Sequence, residues 1–163
     1  MTKLIALAGM PGSGKTTWAK RFFPLEIVSA DEIRIEQYGS LRAAHDDPEK
    51  SAERNKYVFD IFHGRLTMNL LSGASVVADE TALTVLSRES LRRVAAFAGA
   101  EPHLFVFEND IQAFERNRKR EPDLIVPEEV MDRMHRQYKT FIEDLRDGEF
   151  DKWASVTFVE PAK

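Results

Sequence analysis

The chain has 163 residues, with 27 acidic against 23 basic side chains and a formal net charge of −4. That length suits one domain with a full hydrophobic core, and 43% hydrophobic with 31% charged residues is ordinary globular composition. The absence of cysteine excludes disulfides and thiolate metal sites, and the acidic balance argues against a broad nucleic-acid-coating surface. Residues 3–8, Lys3-Leu4-Ile5-Ala6-Leu7-Ala8, form a short apolar run that leads straight into a glycine-rich loop. The run is too short to span a membrane and is followed by no cleavage site, so it predicts a strand, and the protein is expected to be cytoplasmic with no membrane partner.

The loop reads Gly9-Met10-Pro11-Gly12-Ser13-Gly14-Lys15-Thr16 and fills every fixed position of G-x-x-x-x-G-K-[ST]. Glycines let the backbone curl until successive N–H groups point into one concavity. Lys15 can then reach the β- and γ-phosphates, and the Thr16 hydroxyl can ligate Mg²⁺. The helix predicted from Thr17-Trp18-Ala19 onward turns its positive dipole end toward the same anion. The segment therefore predicts binding of a nucleoside triphosphate, with Gly9, Pro11, Gly12, Ser13, Gly14, Lys15, Thr16 and Thr17 around its phosphates.

Further short apolar runs at 25–29, 75–79, 103–108 and 155–159 read as strands buried on both faces of a parallel sheet. Helical stripes alternate with them: Val58, Phe59, Phe62, Leu66 and Leu70, then Leu91, Val94, Ala95 and Ala98. A third stripe, Val130, Met134, Tyr138, Phe141 and Leu145, follows Pro127 at an expected first helical position. These Met and aromatic stripes read as core. The alternation predicts an α/β sandwich with right-handed crossovers, in one domain over 1–163.

Ligands of such sheets sit beyond the carboxyl ends of the strands, which directs attention to the polar residues there. After the second strand, Ser29 and Glu32 have capping-box spacing and put Asp31 in the first turn of a helix. An acid there can simply complement the helix dipole, or it can take a proton from an attacking hydroxyl. Arg34, one turn later, could hold an anionic acceptor. The third strand ends in Asp79-Glu80-Thr81, and one of the two carboxylates is expected to orient the metal or its waters. After the fourth strand, Asn109 and Gln112 again have capping-box spacing and predict a helix carrying Arg116-Asn117-Arg118-Lys119-Arg120. Arg116 and Arg120 would share a helix face. That face is either a solvated surface or a lid, at about 114–127, whose cations close over the transferring phosphate. Histidines 45, 63, 103 and 135 have no metal-ligand spacing, and no chemistry is assigned to them.

With these stretches in order, the chain resembles the P-loop kinases related to bacteriophage polynucleotide 5′-kinase. The resemblance rests on the loop at 9–17 with Trp18-Ala19, on Ser29-Ala30-Asp31-Glu32-Ile33-Arg34, and on Val76-Val77-Ala78-Asp79-Glu80-Thr81 with Arg88 beyond. Arg116-Asn117-Arg118-Lys119-Arg120 and Val126-Pro127-Glu128-Glu129-Val130 complete it, so that it covers residues 3 to about 145. It implies a three-layer α/β/α fold with a mainly parallel sheet and a small helical lid. It further implies Mg²⁺-dependent transfer of the γ-phosphate of ATP to the 5′-hydroxyl of DNA or RNA. Asp31 would then be the general base and Arg34 the contact to the acceptor's 3′-phosphate. Lys15, Arg120 and Arg116 would clamp the donor phosphates, and Thr16, Asp79 and Glu80 would form the metal side. This sequence departs from the family's Asp-x-Thr-Asn by having Ala82 in place of asparagine. Because it ends at Lys163, a stand-alone kinase domain is expected, without the phosphatase domain of some relatives. A kinase of a small-molecule hydroxyl (nucleoside, sugar or antibiotic), or of a modified base in DNA, remains open beside this reading. So does a regulatory NTPase with water as its only acceptor.

Overall fold

The apolar runs form one five-stranded, wholly parallel sheet in a computed structural model that describes residues 1–109 and 112–160. Its strands are β1 (Lys3–Ala8), β2 (Glu26–Ser29), β3 (Val76–Asp79), β4 (Glu101–Phe107) and β5 (Ser155–Val159), in the order β2-β3-β1-β4-β5. Register pairs Asp79 with Leu7 on one side and with Ser29 on the other. The loop after β1, the turn after β2 and the turn after β3 therefore leave the sheet on one edge. That alignment builds the site.

Seven α-helices surround it among the described residues: α1 (Lys15–Phe22), α2 (Ala30–Tyr38), α3 (Leu41–His45), α4 (Pro48–Leu71), α5 (Val85–Phe97), α6 (Ala113–Arg118) and α7 (Glu128–Asp144), with short helical turns at Pro122–Leu124, Leu145–Glu149 and Phe150–Lys152. Strand β1 shows why the sheet is covered on both faces. Leu4, Ala6 and Ala8 point into a core with Phe62 and Leu66 of α4, Leu91 of α5 and Phe141 of α7, whereas Ile5 and Leu7 pack with Ala19 and Trp18 of α1. The expected three-layer α/β/α arrangement is present. Among the described residues no helix is long and apolar enough to cross a membrane.

Local chemistry fixes the helix starts. Ser29 Oγ accepts from Glu32 N at 3.3 Å, so the expected cap of α2 forms. Asp47 caps α4 through Glu49 N and Lys50 N, with Pro48 in the first turn. Pro127 lies one residue earlier than expected, at the cap of α7. The short α3, capped by Ser40 through Ala43 N, has no periodicity long enough to announce it. Strand β4 begins at Glu101 instead of 103, because Glu101 and Pro102 continue the pairing with Lys3 and Leu4.

One charged cluster lies inside the fold. Arg88 on α5 is fully buried and bonds Glu149 through Nε (2.7 Å) and Nη2 (2.8 Å), Asp144 through Nη2 (3.1 Å) and the Ala82 carbonyl through Nη1 (3.0 Å). Its guanidinium stacks 4.3 Å from the Phe141 ring centroid. One side chain thus ties α5 and the end of α7 to the turn that follows β3.

Candidate active site

Gly12 and Gly14 adopt left-handed φ values of 78° and 87°, which give the loop after β1 its curl. At Gly12 a Cβ would stand 2.6 Å from the Ala113 carbonyl, so helix α6 touches the loop where only glycine fits. Lys15 is buried, and its Nζ donates to the carbonyls of Gly9 (3.0 Å) and Met10 (2.9 Å). Burial pushes its pKa down, while the nearby carboxylates of Asp79 and Asp31 oppose that shift.

Thr16 Oγ1 donates to Asp79 Oδ2 at 2.5 Å, joining the start of α1 to the end of β3. Burial raises the Asp79 carboxyl above its ordinary value, partly offset by Lys15 and the Thr16 bond. Glu80 is more strongly perturbed. Burial drives its pKa to about 7 against the charge of Arg34 and a backbone hydrogen bond from Ala82, and its Oε1 has no hydrogen-bond partner. Ala82 itself adopts a φ of 46°, a conformation that asparagine accepts more readily than alanine. Its carbonyl is the one held by Arg88.

Asp31 and Arg34 form an ion pair within α2, Nη1 to Oδ1 at 2.9 Å. The second terminal nitrogen of Arg34 donates to Asn55 Oδ1 on α4 at 3.0 Å, and the guanidinium lies 5.5 Å from the Phe59 ring centroid.

The basic segment 116–120 differs in detail from the expected helix. Helix α6 ends at Arg118, so Arg120 lies in the turn beyond it and not on the helix with Arg116. Asn117 explains how both still face the site. Its side chain bonds the N–H (3.0 Å) and C=O (2.8 Å) of Val126, closing the segment 117–126 on itself. Arg116 Nε donates to Gly12 O at 2.6 Å, and Arg120 Nη1 is buried with no hydrogen-bond partner. Of the second expected capping box, Asn109 turns its side chain to His135 Nδ1 (2.9 Å) and Gln112 precedes α6 without a side-chain cap. Residues 110 and 111 between them lie outside the described residues.

A cleft of about 430 Å³ brings together Pro11, Gly12, Gly14, Lys15, Thr16, Thr17, Asp31, Arg34, Asp79, Glu80, Arg116 and Arg120. Residues 4–141 match the AAA domain family. The chain belongs to that family. No curated protein matches this AAA domain in sequence. Among solved structures it is similar to a sugar kinase from Janibacter sp. HTCC2649, with 19% identity over 98% of this chain and 86% of that one, at a TM-score of 0.65. It is also similar to a chain of the Pnkp1/Rnl/Hen1 RNA repair complex, with 22% identity over 88% of this chain and 46% of that one, at a TM-score of 0.70. A third is AvrRxo1-ORF1:-ORF2 with ATP, with 16% identity over 99% of this chain and 55% of that one, at a TM-score of 0.72. The AAA domain thus has the fold of P-loop kinases, and it spans about half the length of the last two chains.

Two expected loop residues stand behind the cleft of the AAA domain. Gly9 packs where a Cβ would meet Phe107 at 2.9 Å, and Ser13 Oγ is buried with no hydrogen-bond partner. Sequence reasoning missed several wall residues: His45 of α3, Phe59 of α4, Leu124 and Val126 of the segment before α7, and Met134 of α7. Phe59 had a visible signal. The stripe Val58, Phe62, Leu66 steps by four, which leaves Phe59 at its edge, half-buried and able to face a ligand. Among the described residues no cluster of three or more His, Cys, Asp or Glu could hold a metal unaided.

Proposed function

We propose that this AAA domain is an ATP-dependent kinase that moves the γ-phosphate to a 5′-hydroxyl end of DNA or RNA. The observation that carries the reading is Asp31, a carboxylate outside the phosphate loop that shares one cleft with Lys15, Asp79 and Arg120. A hydrolase needs only the loop and a means of positioning water, whereas a kinase needs a second, carboxylate-bearing wall for its acceptor. Asp31 takes the proton of the acceptor hydroxyl as that oxygen bonds to the γ-phosphorus. The bond from phosphorus to the bridging oxygen breaks, and its electron pair leaves with ADP.

Lys15 releases the Gly9 and Met10 carbonyls to meet the donor phosphates, and Arg120 supplies the unpaired guanidinium nitrogen beside them. Arg116 adds charge from the lid while holding Gly12. Magnesium usually keeps several waters and takes one or two carboxylates plus substrate phosphates, and Asp79 beside the Thr16 hydroxyl supplies such a carboxylate. The Thr16 hydroxyl and Asp79 would hold it, with Glu80 behind them, and when bound it would neutralise charge on the β- and γ-oxygens.

A second reading, a small-molecule hydroxyl kinase, is favoured by the net charge of −4 and by a cleft of only about 430 Å³ for donor and acceptor together. The two are separated by labelled-ATP transfer to 5′-hydroxyl DNA and RNA oligonucleotides, nucleosides, sugars and water. Label on oligonucleotide 5′ ends is the expected result. Label on small molecules alone would replace the lead with the second reading, and phosphate release alone would leave a regulatory NTPase.

A further inference from the structure

Arg34 does not present a free guanidinium to the cleft. Its side chain is only 12% exposed, whereas that of Asp31 is 38% exposed. Both terminal nitrogens are engaged, Nη1 by Asp31 Oδ1 at 2.9 Å and Nη2 by Asn55 Oδ1 at 3.0 Å. The Phe59 ring, one helical turn from Asn55 on α4, covers the guanidinium at 5.5 Å. Asp31 Oδ2 has no hydrogen-bond partner among the described residues, and Asp31 lines the cleft. This is the geometry of a carboxylate fixed through one oxygen and open through the other. Arg34 of α2 meets Asn55 and Phe59 of α4, so three side chains rest the two helices against each other, and Asp31 joins them from within α2.

We infer that Asn55 is a positioning residue that acts through Arg34 on Asp31, holding Oδ1 so that Oδ2 meets the acceptor hydroxyl. The inference rests on Asp31 being the general base, and it gives Arg34 the task of orienting that base. A planar guanidinium suits the task, since a bond at each end fixes its rotation about the side-chain axis. A base displaced by a fraction of an ångström loses rate without losing ATP, because the phosphate loop and not Asp31 carries the donor in the proposed reading. Asn55 is exposed, so its replacement leaves the core intact.

The test is a double-mutant cycle on ATP turnover, measured in water alone and with a 5′-hydroxyl oligothymidylate, with and without a 3′-phosphate. Asn55→Ala is expected to lower kcat about tenfold in every condition, with KM for ATP and for oligonucleotide within about twofold of wild type. Asn55→Asp keeps an acceptor oxygen for Arg34 and is expected to retain kcat to within about threefold. In an Asp31→Ala background, Asn55→Ala should cost nothing further. An undiminished cost in that background would overturn the relay, as would wild-type kcat in Asn55→Ala. So would an effect confined to KM for the 3′-phosphorylated oligonucleotide, which would make Arg34 an acceptor ligand. If Asp31→Ala alone turned over at the wild-type rate, the base reading would fall first and take the relay with it.

Discussion

Asp31 and Glu80 are two carboxylates on one cleft with very different surroundings. Asp31 is exposed enough to meet a substrate and is held through one oxygen by Arg34. Replacing it with alanine should lower kcat by about 10²–10⁴-fold, the usual worth of a general base, while ATP still binds. Lys15→Ala should remove both transfer and ATP binding, and calorimetric titration with ATP separates the two variants. Glu80 is buried, and its pKa stands at about 7 against an ordinary 4.5. Between those values the folded chain holds a proton that the unfolded chain has released, so stability falls as pH rises through the interval and the loss is complete above about pH 7. The cost is on the order of 3 kcal/mol for the ligand-free protein. Glu80→Gln, which stays neutral, should therefore melt higher than wild type at pH 8, and the difference should shrink toward pH 5. An equal difference at both pH values would mean that Glu80 ionises normally.

At the scale of elements, the turn after β3 is held from outside the site. Arg88 of α5 reaches Glu149 and Asp144 beyond and at the end of α7, and also the carbonyl of Ala82, whose backbone is in the left-handed region. Arg88→Met would leave Glu149 buried beside Arg92 alone, at a cost of about 3–5 kcal/mol in urea unfolding. Adding Glu149→Leu should recover much of that loss, since the pair would then be replaced by packing. Burial alone would raise the Glu149 carboxyl, but bonds and charge from Arg88 and Arg92 together outweigh it and hold the group below its ordinary 4.5. The cluster's contribution is therefore complete above about pH 4.5 and fades as pH falls through the folded value. Wild type should lose stability faster than the double variant in that acid range. Arg88 could be noticed in the sequence only as a residue beyond Asp79-Glu80-Thr81. Its partner lies 61 positions away, so no local spacing announces the pair.

On the scale of the whole molecule, what the sequence made legible was whatever repeats within a few residues. Five strands, the phosphate loop and the Ser29 cap follow from periodicity and short motifs, and the parallel pairing, though not the strand order, follows from their alternation with helices. Contacts between distant elements were not legible: Asn55 on Arg34, the Asn117 clasp on Val126, and the aromatic wall at Phe59. The same separation governs charge. The chain has more acidic than basic residues, 27 to 23, yet its cleft reverses the balance, with Lys15, Lys20, Arg34, Arg116 and Arg120 against Asp31, Glu32, Asp79 and Glu80. Lys15 bonds the Gly9 and Met10 carbonyls and Arg120 has a buried nitrogen without a hydrogen-bond partner, so both cations have donors to offer a polyphosphate. ATP with Mg²⁺ at about a hundred times its dissociation constant should then stabilise the fold by about 2.7 kcal/mol, or roughly 5–10 °C in Tm for a chain of this size. Asp31→Ala should keep that rise if Asp31 serves the acceptor and not the donor, as proposed. Arg120→Ala should reduce it and Lys15→Ala should abolish it. A rise of equal size in all three variants would mean that the triphosphate binds somewhere other than this cleft.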